Sequence, residues 1–263
     1  MMSTETIEPG ESAVTAKANP FCWYELVTTD HDAAQAFYGK VAGWDVTDAG
    51  LGDRRYSILS ANGSPLGGLV AMDVQRPFWL GYVAVEDVDA YAHKVTAAGG
   101  SIHRAPEDIP DVGRFCVVAD PQGASFVLFK GNGVQPPLPA QFTPGSMTWH
   151  ELHTSDQEGA FAFYSGLFGW EKGEGLDMGP MGIYQMISID GATIGAMMTD
   201  SQAPHPYWLY YIGTADIDAS VARIGEAGGA VMMGPHEVPG GAWIVVGSDP
   251  QGGMFAVVGQ RKS

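Results

Sequence analysis

Cysteine is nearly absent from this chain: Cys22 and Cys116 are the two among 263 residues, and neither stands in a C-x-x-C pair. That count excludes a disulfide framework and fits a reducing, cytoplasmic setting. Basic residues are scarce too, 13 Lys and Arg against 30 Asp and Glu, for a formal charge of −17. They form no run able to neutralise several phosphates, so nucleic acid and membrane are not expected partners. No apolar run approaches the ~20 residues needed to span a bilayer. The opening MMSTETIEPGESAVTAKANP lacks the basic and then apolar segments of a signal peptide, and residues 1–19 are expected to be a disordered leader. Despite 36 glycines there is no G-x-G-x-x-G or Walker loop, and no G-x-S-x-G elbow. Neither a nucleotide site nor a serine nucleophile is indicated.

What the chain does have is a repeat. Residues 23–44 (WYELVTTDHDAAQAFYGKVAGW) recur at 149–170 (WHELHTSDQEGAFAFYSGLFGW), 126 positions on. PFWLGYVAVEDVDA at 77–90 answers PYWLYYIGTADIDA at 206–219, and DPQG occurs at 120–123 and 249–252, both 129 positions apart. Three residues of net insertion between Trp170 and Pro206 separate the two offsets. Between the copies, GNGVQPPLPAQFTPG reads as a linker. The expected organisation is a domain at 20–130, a linker at 131–145 and a domain at 146–259.

Within each copy the order strand, helix, several strands occurs twice. Phe21–Thr28 suits a strand, and Asp30 can cap a helix whose apolar positions are Ala33, Ala34, Phe37, Tyr38 and Val41. Strands follow near 55–60 and 66–72 across the hairpin signal Asn62-Gly63. The second half-unit has a strand at 78–85, a helix over 87–98 and strands near 114–119 and 125–129. Gly99-Gly100 and Gly228-Gly229 supply the left-handed residue that ends the equivalent helices. The predicted class is α+β: two tandem domains, each a pair of βαβββ units curling one mixed sheet into a cup with helices on its convex side.

This order, with W-x-E-L-x-T-x-D, FY and GW near each domain start and D-P-Q-G before each final strand, resembles the vicinal oxygen chelate superfamily of glyoxalase I, extradiol dioxygenases and bleomycin-resistance proteins. It is most similar to the two-domain actinobacterial glyoxalase-like proteins labelled hydroxylases or 27 kDa antigens, over residues 20–259. The resemblance implies a divalent metal on the cup floor. Its ligands would lie seven residues before the Asp opening each helix and seven after the Asp of each final turn. Those positions are Trp23, Leu80 and Val127 in one copy and Trp149, Leu209 and Ala256 in the other. None can ligate a metal. A remaining ligand would fall in the strand at 66–72 or at 193–198, where His, Asp and Glu are lacking. Neither a metal nor another cofactor is therefore expected.

Strand alternation puts Trp23 and Glu25, and Trp149, Glu151 and His153, on the cup faces. A carboxylate among aromatics is costly if ionised and unpaired, which makes Glu25 and Glu151 candidate acid–base groups; the alternative is that each accepts hydrogen bonds and fixes the sheet. His150 and His153 have odd spacing in a strand and cannot share an ion, but His153 can pair with Glu151. Domain one has Val27 there. Trp23, Phe78 and Tyr82, with Trp149, Tyr207 and Tyr211, form candidate ligand walls; ordinary core filling is the alternative. Trp79, Trp208, Trp44 and Trp170 suit packing. Met178, Met181, Met186, Met197, Met198, Met232 and Met233 concentrate in domain two, as gap fillers or an adaptable wall.

Two functions remain in view. One is a metal-independent protein that binds a small apolar or aromatic molecule. The other is an isomerase, lyase or hydroxylase-like enzyme using Glu151 with His153 and Glu25. A metal enzyme with relocated ligands such as His205 or His236 stands third. The expected partner is a small-molecule ligand or substrate, and the expected state a monomer of two pseudo-symmetric domains or a homodimer.

Overall fold

A computed structural model describes residues 19–50, 55–133 and 139–262. Residues 1–18 of the expected leader and 134–138 of the expected linker lie outside the described residues. Domain one runs β1 (Phe21–Thr28), α1 (His31–Ala42), β2 (Asp45–Asp48), β3 (Tyr56–Ala61), β4 (Ser64–Ala71), β5 (Phe78–Ala84), α2 (Val88–Ala97), β6 (Ser101–Ile109), β7 (Gly113–Ala119) and β8 (Ser125–Gly131). Domain two repeats it as β9 (Met147–Thr154), α3 (Gln157–Phe168), β10 (Glu171–Asp177), β11 (Ile183–Ile189), β12 (Ala192–Thr199), β13 (Tyr207–Thr214), α4 (Ile217–Glu226), β14 (Ala230–Glu237), β15 (Trp243–Ser248) and β16 (Met254–Gly259). In domain one the strands directly after the helices, the short β2 and the long β6, complete the expected βαβββ order.

Each domain is one 8-stranded mixed sheet, ordered β2-β3-β4-β1-β5-β8-β7-β6 and β10-β11-β12-β9-β13-β16-β15-β14. The half-units join at the centre, where β1 pairs antiparallel with β5 and β9 with β13. Each half-unit closes through a parallel pair, in domain one β1 with β4 and β5 with β8. The capping pattern holds at all four helices. Asp30, Asp87, Asp156 and Asp216 accept from the amides of Ala33, Ala90, Gly159 and Ala219, answering donors that have no partner inside the helix.

The helix-bearing sides of the two sheets share one apolar core rather than closing separately. Phe37 and Tyr38 of α1 pack on Phe255 of domain two, and Phe163, Tyr164 and Phe168 of α3 pack on Phe126 of domain one. The polar ties are reciprocal. Tyr38 donates to Asp249 and Tyr164 to Asp120, each at 3.1 Å, so the helix of one domain holds the D-P-Q-G turn of the other. Trp79 and Trp208 donate to those same tyrosines from within the core. At the pseudo-two-fold centre, Tyr24 meets its own counterpart His150 at 2.6 Å, and the Gly81 amide donates to Tyr210 at 2.7 Å. A Cβ at Gly81 would meet the Tyr210 hydroxyl at 2.5 Å and the Phe21 ring at 2.7 Å; only glycine permits that approach. Asn19 is buried, accepting from Trp170 Nε1 and donating to Ala84.

This arrangement turns both concave faces outward. Smaller apolar clusters line them: Leu80, Tyr82, Phe115 and Val127 with Trp23 in the first, and Leu209, Tyr211, Val246, Ala256 and Val258 with Trp149 and Tyr207 in the second.

Candidate functional site

The cup of domain two is built outward from β9, whose alternation sends His150 and Leu152 into the shared core and Trp149, Glu151 and His153 into the cup. Glu151 is 8% exposed. Tyr184 of β11 donates to its Oε2, Tyr211 of β13 donates to the same oxygen at 3.1 Å, and Trp149 Nε1 donates to the Tyr184 hydroxyl at 2.9 Å. Its Oε1 meets His153 Nε2 at 2.7 Å, and His153 Nδ1 meets Asp200 Oδ2 at 2.9 Å. Asp200 in turn accepts from the amides of Gln202 and Ala203. The His153 ring stacks on Tyr207, centroids 4.6 Å apart and planes 5° from parallel.

These contacts set the protonation states. Burial alone would lower the His153 pKa, but the hydrogen bonds and charges of Glu151 and Asp200 outweigh it and raise it above the ordinary imidazole value. Burial opposes ionisation of Asp200, yet the His153 contact holds it below the usual carboxylate range. Burial first, and then the Glu151 charge, lift the Tyr184 and Tyr211 hydroxyls well above their ordinary value, so both stay protonated donors. His150, on the same strand as His153 but facing the shared core, behaves differently. Its Nδ1 donates to the Ile194 carbonyl at 2.6 Å and its Nε2 accepts from Tyr24, and burial lowers its pKa to about 4.

The cup of domain one repeats the first part of this arrangement and omits the second. Trp23 Nε1 donates to Tyr56 at 3.2 Å, and the Tyr56 and Tyr82 hydroxyls hydrogen-bond to Glu25. Where domain two has His153, Asp200 and Tyr207, domain one has Val27, Met72 and Phe78. Phe78 is 41% exposed at the mouth. Tyr82 and Tyr211, expected as ligand walls, are buried on the floors with their hydroxyls committed to the carboxylates. Trp23, Trp149 and Tyr207 are half-buried.

Sequence reasoning missed Tyr56, Tyr184 and Asp200. The tyrosines stand 128 apart, as do Asn62-Gly63 and Asp190-Gly191, so the repeat carried a signal for them. Asp200 has Met72 as its counterpart and carried none. Of two shallow concavities, of about 380 and 360 Å³, one lies at Thr29, Ala71, Met72 and Asp73, beside the domain-one rim, and the other between α2 and α3. Met197 is core, while Met178, Met181, Met232 and Met233 are exposed.

A family model described as the Glyoxalase/Bleomycin resistance protein/Dioxygenase superfamily matches residues 21–128 and 146–257. The chain belongs to this superfamily. It is 32% identical over 244 residues to the Mycobacterium tuberculosis protein named "Putative glyoxylase CFP32", covering 90% of this chain and 93% of that one. It is 30% identical over 262 residues to the anthracycline biosynthesis protein DnrV of Streptomyces peucetius, covering 91% and 93%. Among solved structures, the Mn(II)-bound glyoxalase of Novosphingobium aromaticivorans matches with TM-score 0.64 at 18% identity, over 94% of this chain and 83% of that one. The 2,3-dioxygenase LapB of Pseudomonas sp. KL28 matches with TM-score 0.65 at 15% identity, over 94% of both chains. These two likenesses concern the fold.

The superfamily's metal can be tested against the side chains present. The six positions implied for its ligands do converge on the cup floors: Trp23, Leu80 and Val127 in one cluster, Trp149, Leu209 and Ala256 in the other. Their side chains offer no suitable donor. Gly68 lies beside Glu25 in the register of β1 and β4, and a Cβ there would collide with the Tyr56 hydroxyl. Among the described residues, no group of three or more His, Cys, Asp or Glu is arranged to hold a metal ion. The donor set does not fit the group. Also among the described residues, no helix is long and apolar enough to cross a membrane.

Proposed function

We propose that the cup of domain two binds a planar, largely apolar small molecule against Trp149 and Tyr207 without the superfamily's metal. The observation that carries this reading is the saturation of the polar groups. Both Glu151 oxygens and both His153 nitrogens already have side-chain partners, whereas Trp149 on the floor and Tyr207 at the rim remain half-exposed. Aromatic and apolar surface is then what a ligand meets first, and such surface favours flat molecules. Glu25, Trp23, Phe78 and Tyr82 would give domain one a plainer version of the same pocket. We infer a cytoplasmic setting and a monomer of two pseudo-symmetric domains or a homodimer.

The test is a fluorescence titration of the metal-depleted protein with planar quinones and other fused-ring aromatics. Saturable binding, weakened at least about tenfold in Tyr207→Ala, is expected. Absence of binding across the set, or binding only after a divalent metal is added, would overturn the proposal.

A second reading is a metal-independent enzyme, and the Asp200–His153–Glu151 series favours it because it supplies a held proton beside a carboxylate. Glu151→Gln separates the two. The enzyme reading requires turnover of a bound compound by the wild type and its loss in the variant, with Glu25→Gln reporting any share of domain one.

A further inference from the structure

We propose that the His153–Asp200 contact is a proton-controlled latch that fastens the 200–206 connection across the end of β9 and over the mouth of the domain-two cup. The proposal does not depend on what the cup binds. In the sheet order β12-β9-β13, β12 runs parallel to β9 and β13 antiparallel. The chain leaving β12 must therefore cross the end of β9 to enter β13, and His153 is the next-to-last residue of β9. Asp200 opens that connection and Tyr207 follows it, and both touch the His153 ring.

An imidazole with a carboxylate on each nitrogen must donate from both, which only the protonated ring can do. When the proton leaves, one nitrogen turns a lone pair toward a carboxylate and that contact is lost. Glu151 is held in place by Tyr184 and Tyr211. Asp200 is the more exposed carboxylate, 21% against 10% for the side chains, and its other partners are amides of its own connection. Asp200 is thus the partner that releases. The groups facing His153 are Glu151 on its own strand, Asp200 on the connection and Tyr207 on β13, with Tyr184 and Tyr211 behind Glu151 and His205 beside Tyr207. Domain one, with Val27, Met72 and Phe78 at these positions, has no such device and serves as an internal reference.

The experiment combines an NMR titration of the His153 ring nitrogens with amide exchange in the full chain, comparing residues 201–203 with residues 73–76. At pH 6, below the ordinary imidazole value, both ring nitrogens should be protonated. As His153 deprotonates, exchange at 201–203 should rise by about tenfold relative to 73–76, the scale of one charge-assisted hydrogen bond. Asp200→Asn and His153→Gln should each abolish that step. A singly protonated His153 at pH 6, a 201–203 segment that tracks 73–76 throughout, or a step that survives Asp200→Asn would overturn the latch.

Discussion

The two cups start from the same four side chains and diverge at the next three. Trp23, Glu25, Tyr56 and Tyr82 are matched by Trp149, Glu151, Tyr184 and Tyr211, so each floor holds a carboxylate between tyrosine hydroxyls. Above that floor, Val27, Met72 and Phe78 stand where domain two has His153, Asp200 and Tyr207. The shared part gives hydrogen-bond partners to a carboxylate that is buried in domain two and half-buried in domain one. The unshared part adds a proton-binding group and a second carboxylate to one mouth only. The floor is common to the two copies, and the rim is where they differ.

The largest expected effect tests the shared floor. Glu151→Ala leaves two buried hydroxyls and a charged imidazole without their acceptor and should cost about 3–5 kcal/mol. Glu25→Ala, which strands two hydroxyls but no imidazole, should cost about 1–3 kcal/mol. Chemical denaturation of both variants measures the difference, and equal losses would break the comparison.

The pH dependence separates two histidines of one strand. His150 is held neutral with its pKa depressed to about 4 from 6.5. The unfolded chain therefore binds more protons between those values, and stability should fall on acidification by on the order of 3 kcal/mol. His153 has a raised pKa; its contribution is complete below the ordinary imidazole value and is lost as pH rises through the folded one. Thermal unfolding across pH should show both limbs, and only the alkaline one should vanish in His153→Val.

Rebuilding one rim as the other comes next. His153→Val alone should cost about 1–3 kcal/mol because it leaves Glu151 and Asp200 short of a donor. Adding Asp200→Met should recover part of that loss, giving a coupling of about 1 kcal/mol in a double-mutant cycle. The smallest effect is the reverse step. Met72 is 54% exposed, and Met72→Asp should change stability by less than about 0.5 kcal/mol, since no imidazole waits at Val27.

Much of this was legible in the sequence for local reasons. Helix starts follow from single Asp caps, and the inward faces of β1 and β9 follow from alternation, which also placed His150 and His153 on opposite sides. Glu151 and His153 could be paired because they sit two apart on one strand. Asp200 could not, because its contact spans 47 positions and depends on how a connection crosses a strand end. Tyr184 and Tyr56 lay in between: the repeat carried them, but their hydrogen bonds required the curl of the sheet.

By itself the sequence determined the two copies, their half-units and the strand and helix order. These follow from period, cap and composition, which act over a few residues. Only the tertiary structure decided that the helices of one domain pack on the sheet of the other, that both cups face outward, and that Asp200 closes on His153. Those contacts join residues far apart in the chain, where burial and hydrogen-bond satisfaction across the whole core, rather than local pattern, select the partner.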